Sequence, residues 1–375
     1  MVDIDKYLTR YNLLHEPQYT RFKDAFSEFY LAQKDRYKTS IKEIYSTRIF
    51  PSRVKANGEH YVIVDYHFAN MFSYYSTFYL CFSNQLPFEL DKERVKLLIK
   101  NLIILSQASL QEDIPGLALS FAEEYIRNGG IFKKYDSLLN LENKNHILNQ
   151  VEIFANMFTI YHETGHIRYN ELEKAENGYW NFMNYLEWWC SCTDTTFSKN
   201  PIELKRVFEK NEKSTLEELY CDFHAVVGII DDVKRVCNNN LSDYEMARLT
   251  INSIMLAVEF QALLVQNRIQ WKRMYYHYNN MYEKEKRMQL AIRREFDHYQ
   301  IRFSLLLLMA THSVGQEFKL DKWIDLYKGA NVFDETSIEL LNDFSERIME
   351  RTRWNELHYS EQEMSKMRNL LLRWV

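Results

Sequence analysis

The sequence predicts a mostly α, globular chain of α+β type, with a small β-sheet set among long helices. Only 9 Gly and 5 Pro punctuate 375 residues of which 46% are hydrophobic and 15% aromatic. That scarcity favours long helices over many short strands and tight turns. Apolar residues recur at helical spacing through most of the chain, and a single β-branched run, in "NGEHYVIVDYHF", breaks that rhythm.

Residues 1–50 alternate charge with Tyr, Phe and Leu at helical spacing and read as helix. Next come an Asn-Gly turn and a strand from Tyr61 to Tyr66, so a short strand or sheet is expected near 59–66. Helical patterns resume with "FANMFSYYSTFYLCF", "DKERVKLLIKNLIILSQ" and "LALSFAEEYIRN", the last closed by Gly129 and Gly130. A polar segment, Lys133 to Asn145, leads into a further helix around "VEIFANMFTIYHETGH". Two capping boxes, "STLE" from Ser214 to Glu217 and "SDYE" from Ser242 to Glu245, mark later helix starts. From Asp243 onward the pattern is amphipathic helix, with a polar break near "GANVFDETS". These features divide the chain into an N-terminal helical region with its strand (1–140), a central unit (141–240) and a helical C-terminal subdomain (241–375).

A balance of 47 basic against 52 acidic residues, formally -5, leaves no overall electrostatic footprint for nucleic acid. Five cysteines, odd in number and irregularly spaced, argue against a disulfide framework and for a reducing compartment. The N-terminus has no basic start followed by an uncharged apolar run, so a cytoplasmic protein is expected. The apolar windows "SIMLAVEFQALLV" and "FSLLLLMA" fall short of the ~18 residues needed to span a bilayer and read as core helices.

The chemistry concentrates in "HETGH". His162 and His166 stand at i and i+4, so on a helix both imidazoles project from one face and can bind one zinc ion. Glu163, directly after the first ligand, is placed to act as general base towards the attacking water. A catalytic zinc needs a third protein ligand and one open position. "EELYCDFHAVVGII" offers Glu218 as that ligand, and Asp222, on the same helix face, as an outer carboxylate accepting a hydrogen bond from a ligand histidine.

With these two motifs the chain resembles the gluzincin metallopeptidases, in which His-Glu-x-x-His is followed by a helix bearing Glu-x-x-x-Asp. More narrowly it is similar to the Lit-type phage-exclusion peptidases, over roughly residues 57 to 235. The resemblance implies a zincin-like helix pair and a Zn2+ cofactor held by His162, His166 and Glu218, with Glu163 catalytic and Asp222 behind a ligand. It further implies a cytosolic bacterial endopeptidase acting on protein substrates, in defence against phage, by cleaving a host factor. In such a family the strand before the active-site helix pairs with an extended substrate, and "HYVIVDY" is the candidate here. Two features depart from the pattern. Cys221 replaces a small Ala, and no His-Pro segment followed by Arg stands downstream, so the transition-state stabiliser is unassigned among His224, Tyr276, His277 and His298.

Two other readings stand beside this one. Glu163-x-x-His166 and Glu295-x-x-His298 are the paired motifs of helical di-iron carboxylate proteins, with Glu124 and Glu259 as the two further glutamates. That scheme leaves His162, Glu218 and Asp222 without a role. In the third reading the helical chain is a non-catalytic scaffold that binds partners.

Overall fold

The computed structural model describes residues 39–44, 52–65, 92–111, 114–127, 146–172 and 213–320, with a few others placed singly. It is mostly helical, with one small three-stranded mixed sheet. The strands are β1 (Thr39–Ile44), β2 (Ser52–Ala56) and β3 (Glu59–Asp65). Asn57 and Gly58, with φ of 52° and 84°, make the turn between β2 and β3. Two successive positive φ values match the right-handed twist of a two-residue hairpin, which is why Asn-Gly stands there.

The sheet order is β1-β3-β2, with β1 parallel and β2 antiparallel to β3. This corrects two expectations. Thr39–Ile44 lies in the range that read as helix, yet it pairs with β3 from Thr39↔His60 to Ile44↔Asp65. A parallel ladder to a distant strand outweighs weak local spacing. The second correction concerns "HYVIVDY". As the central strand it spends its hydrogen-bonding edges on β1 and β2, so a substrate could not pair with it. Among the described residues β2 has a neighbour on one side only.

Alternation along β3 divides its side chains between two faces. Val62 and Val64 join the main helical core, whereas Tyr61 and Ile63 form a smaller cluster with Ile4, Ile44 and Ala56. Arg53 pairs with Val62, so both belong to the face that packs on the helices.

The helices are α1 (Lys92–Leu110), α2 (Pro115–Arg127), α3 (His146–Leu172), α4 (Lys213–Cys237), α5 (Asp243–Tyr278) and α6 (Tyr282–Glu317). The predicted capping box at α5 is formed: Ser242 Oγ accepts from Glu245 N at 3.3 Å, and Ser242 N donates to Glu245 Oε2 at 2.9 Å. At α4 the helix already includes Lys213, one residue ahead of the expected cap. Helices α5 and α6 form a hairpin across Asn279 and Asn280. Helix α3 packs on α4, α5 and the sheet, and α4 packs on α6.

Trp271 of α5 is fully buried edge-on against Phe121 of α2, at 4.8 Å and 88°. Phe260 of α5 gathers Phe68, Phe72 and Tyr75. One continuous core thus runs from Val62 to Phe318. By length and composition α5 could cross a membrane, but two thirds (67%) of its apolar window is buried in the protein, as in a core helix. Apart from single residues, the segments 1–38, "FANMFSYYSTFYLCF" and the chain after 320 lie outside the described residues, as do 133–145 and the Cys190 and Cys192 pair.

Candidate metal centre

Two glycines bring α3 and α4 together in antiparallel fashion. A Cβ added to Gly165 would lie 2.8 Å from Cys221 Cα, and one added to Gly228 would lie 2.8 Å from the Tyr161 ring. Tyr161 is fixed in that position, its hydroxyl donating to Asp232 at 2.7 Å. Backbones at this distance let short side chains on one helix reach the other. The face of α3 carrying His162 and His166 therefore meets the face of α4 carrying Glu217, Glu218, Cys221 and Asp222.

His162, His166 and Cys221 each present a ligand atom within 4.8 Å of the others, a group that could hold a metal ion. Glu218 also faces both histidines. Its Oε2 is 3.2 Å from His162 Nε2, and its Oε1 is 3.5 Å from His166 Nε2. The outer nitrogens have carboxylates of their own. His162 Nδ1 lies 2.9 Å from Asp222 Oδ1, and His166 Nδ1 lies 2.7 Å from Glu217 Oε1. An ionised carboxylate only accepts, so each Nδ1 carries a proton, while each Nε2 faces Glu218; on His162 the Nε2 is protonated as well and donates to Glu218, a proton that a metal ion would displace. This is the arrangement by which protein metal sites fix imidazole tautomer and direction.

Two arginines anchor the carboxylates. Arg302 of α6 grips Asp222 with two hydrogen bonds, Nε to Oδ2 at 2.6 Å and Nη2 to Oδ1 at 2.7 Å, and its Nη1 is 3.3 Å from Glu218 Oε2. Arg53 of β2 donates to the His166 carbonyl at 2.9 Å and lies 3.3 Å from Glu217 Oε1. Three carboxylates (Glu217, Glu218 and Asp222) thus gather around two guanidiniums.

The electrostatics follow from burial and these contacts. Burial alone would lower the pKa of His162, but hydrogen bonds to Asp222 and Glu218 outweigh it and raise the value to about 9. His166 goes the other way, lowered by burial and by the neighbouring His162 charge. Burial pushes Glu163 up to about 7, with Glu218 adding to the rise and His162 opposing it. Glu218 and Asp222 resist burial and stay well below the usual carboxylate range, Glu218 through His162 and Asp222 through Arg302. Burial and the surrounding carboxylates push the Cys221 thiol far up, which disfavours its thiolate.

Of the residues singled out in the sequence, His162, Glu163, His166, Glu218 and Asp222 come together here. His277 does not. It is largely exposed and bonds Glu285 at 3.1 Å, a residue seventeen positions ahead of Arg302 in α6 and so about 25 Å away along the helix. Tyr276 lies at the same end, under Lys284 at 5.5 Å. His224 packs edge-on to Tyr161 at 6.1 Å. His298 stands four residues before Arg302 in α6, and its side chain, like that of Glu295, lies outside the described residues. The group of described residues that could hold a metal ion, His162, His166 and Cys221, includes none of Glu218, Glu124 of α2 and Glu259 of α5.

Glu217, Arg53 and Arg302 were not singled out as site residues in the sequence, and Cys221 stood out only as a departure from the family pattern. Arg302 left one trace, a charge at the mouth of the apolar run "FSLLLLMA", where an unpaired guanidinium would be costly. Glu217 read as the end of a capping box, whereas its Oε1 faces His166.

Comparison of the chain with protein-family models, with curated proteins and with solved structures found no match in any of the three.

Proposed function

We propose that this chain is a zinc-dependent endopeptidase built on a zincin-like helix pair, α3 and α4, with His162, His166 and Glu218 as metal ligands. The observation that carries the reading is the two-sided engagement of both imidazoles. Each Nε2 faces the Glu218 carboxylate while each Nδ1 is held by an outer carboxylate. Buried hydrogen-bonded core histidines do not need this pairing, and a tetrahedral ion with His-His-Glu ligation does. Cys221, whose Sγ lies in the same group of ligand atoms as the two histidines, is the alternative third donor.

Zn2+ in such a centre supplies Lewis acidity to a scissile carbonyl and lowers the pKa of water. The chain's own residues do the rest. Glu163, on the turn between the two histidines, accepts a proton from the attacking water and returns it to the departing amine as the C–N bond breaks. Burial of its carboxyl favours proton uptake at this position. Asp222 holds His162 in the ligating tautomer, and Arg302 holds Asp222. An extended peptide would lie along the outer edge of β2, the strand whose Arg53 touches His166. The resemblance to Lit-type peptidases extends the proposal to a cytoplasmic bacterial protease that cleaves a host factor during phage defence.

The test is Glu163→Gln, which keeps size and reach but cannot take up the proton. Cleavage of an unfolded protein substrate, or growth arrest on expression in bacteria, should fall by ~10² to 10⁴-fold, with zinc content and melting temperature near wild type. Full activity in this variant would remove Glu163 as the base. Loss of metal would make it a ligand, as a di-iron centre requires.

A further inference from the structure

We infer that Glu217 and Arg53 are positioning residues for the second metal-binding histidine, and that through Arg53 strand β2 sets the geometry of the centre. This rests on the reading of His162, His166 and Glu218 as metal ligands. In that reading the first histidine has its support in Asp222 and Arg302. Glu217 and Arg53 form the matching pair on the other side, drawn from a different layer of the fold.

The geometry has three parts. Glu217 Oε1 accepts from His166 Nδ1 at 2.7 Å, the shorter of the two carboxylate-histidine bonds. The same oxygen is 3.3 Å from Arg53 Nη2, so the guanidinium fixes where that acceptor sits. Arg53 Nη1 meanwhile donates to the backbone carbonyl of His166 at 2.9 Å. One side chain from the sheet therefore holds His166 at both ends, by its carbonyl and by the acceptor beyond its ring.

Strand register makes this possible. Arg53 pairs with Val62, whose side chain is in the main core beneath α3, so Arg53 faces the helix. A one-residue slip of β2 would turn it to the opposite face. The two halves also differ in exposure: the Asp222 side chain is fully buried, whereas those of Glu217 and Arg53 are 20% and 41% exposed. The His166 half is accordingly the one that salt and a docking peptide can reach.

Competition titration of Zn2+ against a chromophoric chelator tests this, alongside melting curves in EDTA. Glu217→Ala should weaken zinc binding by ~10 to 100-fold, the usual effect of losing an outer partner of a ligand histidine. Glu217→Gln should recover part of that loss, since an amide oxygen still accepts from Nδ1. Arg53→Ala should weaken binding several-fold at low salt, and by less in the Glu217→Ala background, because part of its effect passes through Glu217. Melting in EDTA should shift far less than the affinity does. Wild-type zinc affinity in Glu217→Ala, with binding abolished in His166→Ala, would overturn this assignment alone. Equal effects of Arg53→Ala in both backgrounds would overturn the route through Glu217, and wild-type affinity in Arg53→Ala would overturn the link through the sheet. Failure of the wild-type protein to bind zinc would overturn the metal reading, and this inference with it.

Discussion

Replacing Gly165 with Ala tests the claim that the approach of α3 to α4 builds the centre. The new Cβ would meet Cys221 Cα at 2.8 Å, with Cys221 Cβ and Sγ at 3.1 and 3.3 Å. The nearest atom is backbone and cannot swing aside. Reaching the 3.4 Å where ordinary contact begins requires the helices to part by about 0.6 Å at that level. Overpacking of this kind costs ~1 to 3 kcal/mol, and Ala recovers ~1 kcal/mol over Gly inside a helix. The net destabilisation is therefore about 0 to 2 kcal/mol.

The metal should respond more strongly than the fold. Ligand distances at a metal centre tolerate only ~0.2 Å, and the gap opens between His162 and His166 on one helix and Glu218 on the other. Zinc affinity should fall by at least about tenfold in competition titration, while urea unfolding in EDTA shows the small loss above. Gly228→Ala, which meets the Tyr161 ring instead, should cost stability with a smaller effect on zinc. A Gly165→Ala protein that is more stable by ~1 kcal/mol, with wild-type zinc affinity, would refute the close packing and the centre built on it.

Three further outcomes are expected. Asp222→Asn should weaken zinc binding by ~10 to 100-fold, and it should also lower stability, because Arg302 donates to both carboxylate oxygens and one would become an amide NH2. Titration and melting of the same variant check both effects. Glu218→Ala should lose zinc while Cys221→Ala keeps it, as read by metal analysis of purified protein; the reverse result would make Cys221 the third ligand. Glu295→Ala and His298→Ala should leave metal content unchanged, and loss of iron from both would restore the di-iron reading.

The sequence by itself determined what depends on neighbours along the chain. The helical class follows from the scarcity of Gly and Pro, the turn ahead of β3 from Asn57-Gly58, and the start of α5 from Ser242 and Glu245. The two histidines share a face because four residues make about one helical turn, and Glu218 and Asp222 do so for the same reason. Only the tertiary structure decided which side chains from distant elements complete the centre. Arg53 reaches a carbonyl 113 residues away, and Arg302 lies against a histidine 140 residues before it. Periodicity can show that a helix has an apolar or polar face, but it does not encode what lies opposite. That depends on crossing positions, here set by Gly165 against Cys221, and on strand register, which turns Arg53 towards α3. For the same reason Thr39–Ile44 became a strand and the β-branched run of β3 became a central strand with no edge to offer, since pairing partners are chosen in space.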